Sequence, residues 1–191
     1  TYQWSNSQLG NPAINLGVGT IICTITDVNG CKDTVQVIIQ EPAQLGTVIT
    51  GNNVSCYGLC DGSASITVNG GTLPYTYLWD ANAAFQTTSN ATALCANTFV
   101  VTVTDNNGCS KTGSVIITQP QQLSFTYTTN PSTCGYANGS ACVTVVGGQA
   151  PFTILWNDPQ STVGNCIDTV FAGVYNPVLV DGNGCVYISP V

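Results

Sequence analysis

The sequence predicts an all-β chain of tandem immunoglobulin-like β-sandwich modules, each about 75–78 residues long. Three observations carry this. Apolar and polar residues alternate along segment after segment, and none shows a convincing 3.6-residue period. Trp4, Trp79 and Trp156 recur at one spacing, and the Gly-Cys pairs ending at Cys31, Cys109 and Cys185 recur at nearly the same one, which marks an internal repeat. About seven short strands per repeat, parted by Gly, Pro and Asn turns, suit a small two-sheet sandwich.

The first module, 1–45, enters partway through the pattern at TYQW. Ile21, Cys23 and Ile25 alternate along its next strand, the turn ITDVNGC follows, and IIQEPAQL forms a proline-containing seam. The second, 46–120, is complete. Ala64, Ile66 and Val68 alternate with Ser and Thr, VNGGTLPY makes a turn, and Tyr75, Tyr77 and Trp79 share one strand face. In FVVTVTD, Phe99, Val101 and Val103 face one way and Val100, Thr102 and Thr104 the other, before the seam IITQPQQL. The third module, 121–191, repeats the turn as VVGGQAPF and the tryptophan strand as PFTILW. Tyr175, Pro177 and Leu179 keep the phase, but a proline lacks a ladder donor, so this strand is expected at an edge or bulged. The last strand is expected to be truncated, because Cys185 lies close to the end of the chain. Two readings stay open: a segment of a longer tandem array, or a subunit that completes its open sandwich with strands from a neighbour.

The DxNG turns reverse the chain between the last two strands. Asp105 can accept hydrogen bonds from its own turn, while Asn107 and Gly108 tolerate positive φ. The rival is calcium, with Asp27, Asp105 and Asp181 as candidate ligands, because Asp and Asn at alternate positions resemble the start of a calcium loop. The later carboxylate of such a loop is missing, so the turn is preferred and no cofactor other than calcium is entertained.

Composition excludes several functions. Charged residues are 6% of the chain, there is no His, and the net charge is −7. Nucleic-acid binding needs a basic surface, which this chain lacks. Catalysis by an activated nucleophile normally wants His or Lys, and the only lysines are Lys32 and Lys111. No acid pair stands out: Asp27 and Asp33 flank a turn, and Asp158 and Asp168 fall in a variable loop. The ten cysteines include no CxxC, so disulfides are a better reading than zinc and imply an oxidising, extracellular location. No membrane insertion is expected, since no long apolar run is present.

Cys56, Asp61, Gly62 and Ser63, then Gly70, Gly71, Pro74, Tyr75, Tyr77 and Trp79, then Asp105, Asn107, Gly108 and Cys109 form a pattern that resembles the SprB-type repeats of very large surface adhesins in gliding and other Bacteroidota. Asn138 departs from it, standing where the second module has Asp61. The resemblance implies secretion and display as a long thread of tandem modules, and it brings no catalytic residues.

The predicted topology assigns cysteines to ends of the sandwich. Cys60 in the A–B connection and Cys95 in the E–F connection share one end and can pair; Cys142 on strand B and Cys166 on strand E form a cross-strand pair. Each such bond is expected to contribute about 2–4 kcal/mol. Cys56 and Cys109 lie at opposite ends, about 20 Å apart, beyond the roughly 7 Å a disulfide spans. Cys56 is therefore expected to bond Cys185 across the joint between modules, with Cys56–Cys109 and Cys134–Cys185 as the alternative. On the preferred reading Cys31, Cys109 and Cys134 take partners outside this segment, and Cys23 is unassigned. Asp33-Thr34-Val35 and Asp168-Thr169-Val170 resemble an O-glycosylation acceptor of Bacteroidota, making Thr34 and Thr169 candidates.

Two functions compete. One is a structural repeat segment of an extracellular filament or adhesin stalk, whose partners are neighbouring copies or further repeats of the same protein. The other is a carbohydrate-binding module in which Tyr75, Tyr77 and Trp79 stack on surface glycans. A core role for that trio is preferred, because the third module offers Phe152, Ile154 and Trp156, and Ile does not serve a sugar platform.

Overall fold

The structure, a computed structural model, describes residues 1–189; the last two residues of the predicted third module, 190–191, lie outside it. It is all β, and the one helical element among the described residues is a 3-10 turn at Ala81–Ala83. In chain order the strands are β1 (Tyr2–Trp4), β2 (Gly19–Thr26), β3 (Lys32–Ile39), β4 (Gly46–Asn52), β5 (Gly62–Asn69), β6 (Thr76–Trp79), β7 (Asn90–Leu94), β8 (Asn97–Thr104), β9 (Ser110–Ile117), β10 (Ser124–Asn130), β11 (Gly139–Val146), β12 (Thr153–Leu155), β13 (Cys166–Val170), β14 (Val178–Val180) and β15 (Val186–Ile188).

The second module packs the sheet β4-β5-β7 on the sheet β6-β8-β9, every pairing antiparallel. These are the A-B-E and C-F-G sheets of an immunoglobulin-like sandwich. Its core is built from the residues whose alternation points inward: Ala64 and Ile66 on one sheet, Phe99, Val101 and Val103 on the other, with Trp79 between them. The Trp79 indole is fully buried and donates to the Thr88 carbonyl at 2.9 Å. The third module repeats this with β10-β11-β13 and β12-β14-β15, and Trp156 donates to the Gly164 carbonyl at 2.8 Å.

Six strands make the complete module where about seven were expected. A separate D strand is missing because Asp80 caps the 3-10 turn, and Ala84 and Phe85 then turn with positive φ. Pro177 also differs from expectation. It precedes β14, the central strand of its sheet and not an edge. In the second module Trp79 pairs with Val101, whereas in the third the ladder stops at Leu155–Val178. The next pair would be Trp156 with Pro177; the Asn176 amide already turns to the Asn157 side chain on that side at 2.6 Å, so by alternation the donor that proline lacks faces β15. Asp168, assigned to a loop from sequence, lies on β13.

In the first module β1, β2 and β3 form one three-stranded sheet in that order, the counterpart of C-F-G. Among the described residues no second sheet covers it. Cys23, at the position of Val101, is buried, but Ile25, at the position of the fully buried Val103, is 37% exposed.

The seams are docked to the module they precede. Leu45 and Leu123 are buried, the Gly71 amide donates to the Ala43 carbonyl, and the Gly148 amide to that of Gln121. The Gly-Gly turns make this approach feasible: a Cβ on Gly70 would stand 2.1 Å from the Gln44 carbonyl oxygen, and its φ is +67°.

Candidate functional site at the joint between modules

Each DxNG turn is organised by its aspartate. Asp105 Oδ1 accepts from the amides of Asn107 and Cys109, both at 2.9 Å, and Oδ2 accepts from Thr72 at 2.9 Å. Asp181 repeats this with Asn183, Cys185 and Gln149. Asp27 accepts from Asn29 and Cys31. The Thr72 amide, first among the contacts, holds the Asp105 carboxyl below its ordinary range against the opposing effect of burial. Burial pushes the Asp181 carboxyl up, and four amides, led by Gln149, more than reverse that.

These contacts favour the turn over the calcium reading of Asp27, Asp105 and Asp181: Oδ1 of each accepts two turn amides, and Oδ2 of Asp105 and of Asp181 accepts a third from the residue after the Gly-Gly turn. Asn107 differs from expectation too: its φ is not positive, and only Gly108 occupies the left-handed region. The Gly108 amide closes on the Asp105 carbonyl, and the Asp105 amide on the Cys109 carbonyl, which is a type I turn followed by a bulge at glycine.

At the other end of the second module, the A–B loop is shaped by Asp61, which accepts from the amide and hydroxyl of Ser55. The Ser55 hydroxyl, first, and its amide hold the Asp61 carboxyl below its ordinary range. Asn138 does the same work in the third module, accepting from the Thr133 amide and donating to its hydroxyl, both at 2.8 Å.

The two ends meet at the joint. Cys56 of the A–B loop is bonded to Cys185 in the F–G turn of the next module, with Cα atoms 5.7 Å apart. The Asn183 side-chain amide donates to the Ser55 carbonyl at 3.0 Å, a second tie that sequence reading missed. Its counterpart Asn107 donates instead to the Thr72 hydroxyl at 2.9 Å. Tyr57 and Leu59 of the A–B loop and Leu123 and Tyr187 of the next module line a cavity of about 360 Å³.

Within modules, Cys60 is bonded to Cys95, and Cys142 to Cys166 directly across β11 and β13. The alternative pairings Cys56–Cys109 and Cys134–Cys185 are not formed, because each would join opposite ends of one sandwich. Cys23, Cys31, Cys109 and Cys134 are free thiols, the last three exposed. Thr34 is exposed on β3, and Thr169 is exposed on β13 with φ +56°. Tyr75, Tyr77 and Trp79 do not make a sugar platform: Trp79 has no accessible surface, and both tyrosines pack against the core.

No helix among the described residues is long and apolar enough to cross a membrane. No curated protein sequence matches the chain. Among solved structures it is similar to the N-terminal eight immunoglobulin domains of Down Syndrome Cell Adhesion Molecule isoform 1.30.30, at 13% identity and TM-score 0.40, covering 99% of this chain and 31% of that one. It is also similar to a structure described as the basis for Dscam isoform specificity, at 10% identity and TM-score 0.31, covering 96% and 61%. The chain thus spans about a third of the first of these. The family model described as SprB repeat matches residues 48–84 and 126–161, so the chain carries two SprB repeat segments.

Proposed function

From two SprB repeat segments joined head to tail, we propose that this chain is a structural segment of an extracellular filament or large surface adhesin stalk. The observation that carries the reading is the Cys56–Cys185 bond across the joint, reinforced by Asn183 on the Ser55 carbonyl. A bond at that place fixes the angle between modules and turns a string of sandwiches into a stiff spacer. Its partners are further copies of the same repeat, and its work is mechanical and not catalytic. It holds a distal tip away from the cell for surface attachment, gliding or cell–cell contact. An oxidising exterior suits the three disulfides, and the low charge leaves little repulsion between neighbouring modules.

Small-angle X-ray scattering on the intact chain and on a Cys56→Ser, Cys185→Ser variant tests the stalk reading. The intact chain is expected to give one narrow extended distance distribution, and the variant a broader and shorter one. Identical profiles would remove the joint from the function.

A further inference from the structure

The outward faces of the C-F-G sheets differ in chemistry from module to module. In the second module one outward row across β6, β8 and β9 reads Leu78, Thr102 and Thr112, and the next reads Thr76, Thr104 and Ser110. In the third module the same rows read Leu155, Val178 and Ile188, then Thr153, Val180 and Val186. Val163 adds a fourth apolar side chain to the first row, because its bridge to Leu155 sets the two directly opposite on one face. Its counterpart is Thr87: the residue before each, Thr162 or Gln86, accepts from the tryptophan amide. Five places that hold Thr or Ser in the second module thus hold Val or Ile in the third. The first module keeps the polar type, with Gln3, Thr24 and Thr34 in the row.

This face is open to solvent and bears no charge. Val163 is 67% exposed, Val186 60%, Ile188 57% and Leu155 42%, while the alternating residues Ile154, Leu179 and Tyr187 pack into the core. The acids of residues 121–191 lie elsewhere: Asp158 and Asp181 are buried, and Asp168 is on β13 in the other sheet. Continuation of the chain does not cover such a face, since Ser110 and Thr112 are exposed in the second module, which a third follows. Threonine suits a strand as well as valine does, so the strands themselves do not call for Val and Ile there.

We propose that this face is a lateral docking surface whose occupant is the same face of a second copy of the chain. Two observations select that occupant. The outward C-F-G faces of the other two modules are polar at these places, so the matching apolar face is the third module of another copy. With no charge on either side, two copies meet without like-charge repulsion or the desolvation of an ion, and a two-fold pairing needs only this one surface. Area sets the strength. Four strands about 4.8 Å apart and two rows about 7 Å apart make a patch of about 300 Å², well short of the roughly 800 Å² per partner in a stable complex. The contact is accordingly weak and reversible between single chains, and gains where several such modules lie side by side. The inference adds a lateral contact to the stalk reading and does not rest on it.

Sedimentation velocity on the full chain tests this, with the exposed thiols Cys31, Cys109 and Cys134 capped by iodoacetamide. Between about 10 μM and about 1 mM a reversible monomer–dimer equilibrium is expected, and radical footprinting should find Leu155, Val163 and Ile188 increasingly protected. Val163→Thr, Val178→Thr and Ile188→Thr together install the second module's own residue type and should weaken the dimer by about tenfold or more, with the urea midpoint little changed. Should that variant not fold, Thr87→Val, Thr102→Val and Thr112→Ile give the second module the same row and should tighten association by about tenfold. A chain that stays monomeric at about 1 mM, protection confined to β1, β2 and β3, or association indifferent to these substitutions would overturn the proposal. Any of these leaves the scattering result on the Cys56–Cys185 joint untouched, so the two readings fall separately.

Discussion

Removing the joint disulfide with Cys56→Ser and Cys185→Ser should do more than lower stability; it should uncouple two modules. The bond closes a sequence separation of 129 residues. On the chain-entropy estimate, a loop of that length constrains the fully unfolded pair by about 5 kcal/mol. If only one module unfolds, the loop runs from its cysteine to the seam of its folded neighbour, roughly half as long. That shorter loop still costs about 4 kcal/mol, because doubling a loop adds only about 0.6 kcal/mol. With the bond intact, nearly the whole constraint is therefore met when the first of the two modules opens, and the second opens for little more. Peptide-resolved hydrogen exchange along a urea series reads the modules separately, with both buried tryptophans in place. The intact chain should show coincident transitions, and the variant two transitions with the earlier one shifted down by about 2 M or more. Coincident transitions in the variant, or a loss below about 1 kcal/mol, would refute the reasoning.

Further outcomes follow from single residues. Asp105 and Asp181 have depressed folded-state values, so their contribution is present above the unfolded carboxylate value near 3.9 and is lost as pH falls through the folded one. Urea midpoints measured down an acid series should fall below about pH 4, and Asp105→Asn with Asp181→Asn should flatten that fall. Pro177→Val should restore a donor towards β15, as Val101 has opposite Gly113 in the second module, and stabilise by about 1 kcal/mol. Hydrogen exchange at position 177 reads this directly, and a loop-like rate there counts against it. Gly147→Ala forces a Cβ to 2.1 Å from the Gln122 carbonyl at φ +72° and should cost about 2–3 kcal/mol. Gly184→Ala has open space at φ +81° and should cost only about 1–2 kcal/mol in urea unfolding.

What the sequence revealed is what periodicity encodes. Phe99, Val101 and Val103 announce a buried face because alternation and burial share a period of two, and Trp79 fixes the repeat because few residues fill its place. Strand E was poorly legible: Ala93 and Thr169 adopt one strained conformation with unrelated side chains. Gln86 clamps that strand at the Thr92 amide and carbonyl, but its meaning requires the strand it holds. Asn107 looked fit for positive φ, yet the turn needs that conformation only at the glycine that follows. Pro177 spoke correctly of a missing donor and misleadingly of an edge, since a central strand can simply begin after it. The DxNG aspartates resembled metal ligands because sequence shows the carboxylate and hides the amides aimed at it.

The same disulfide also decides what a pull on the chain would feel. Tension entering at β4 reaches Cys56, crosses to Cys185 and leaves through β15, so the 129-residue separation between those cysteines lies outside the stretched path. At about 3.3 Å per extended residue, roughly 400 Å of length is withheld. Two sandwiches could lose their packing under tension and the molecule would lengthen hardly at all. A reductant, and not force, holds the key to that reserve.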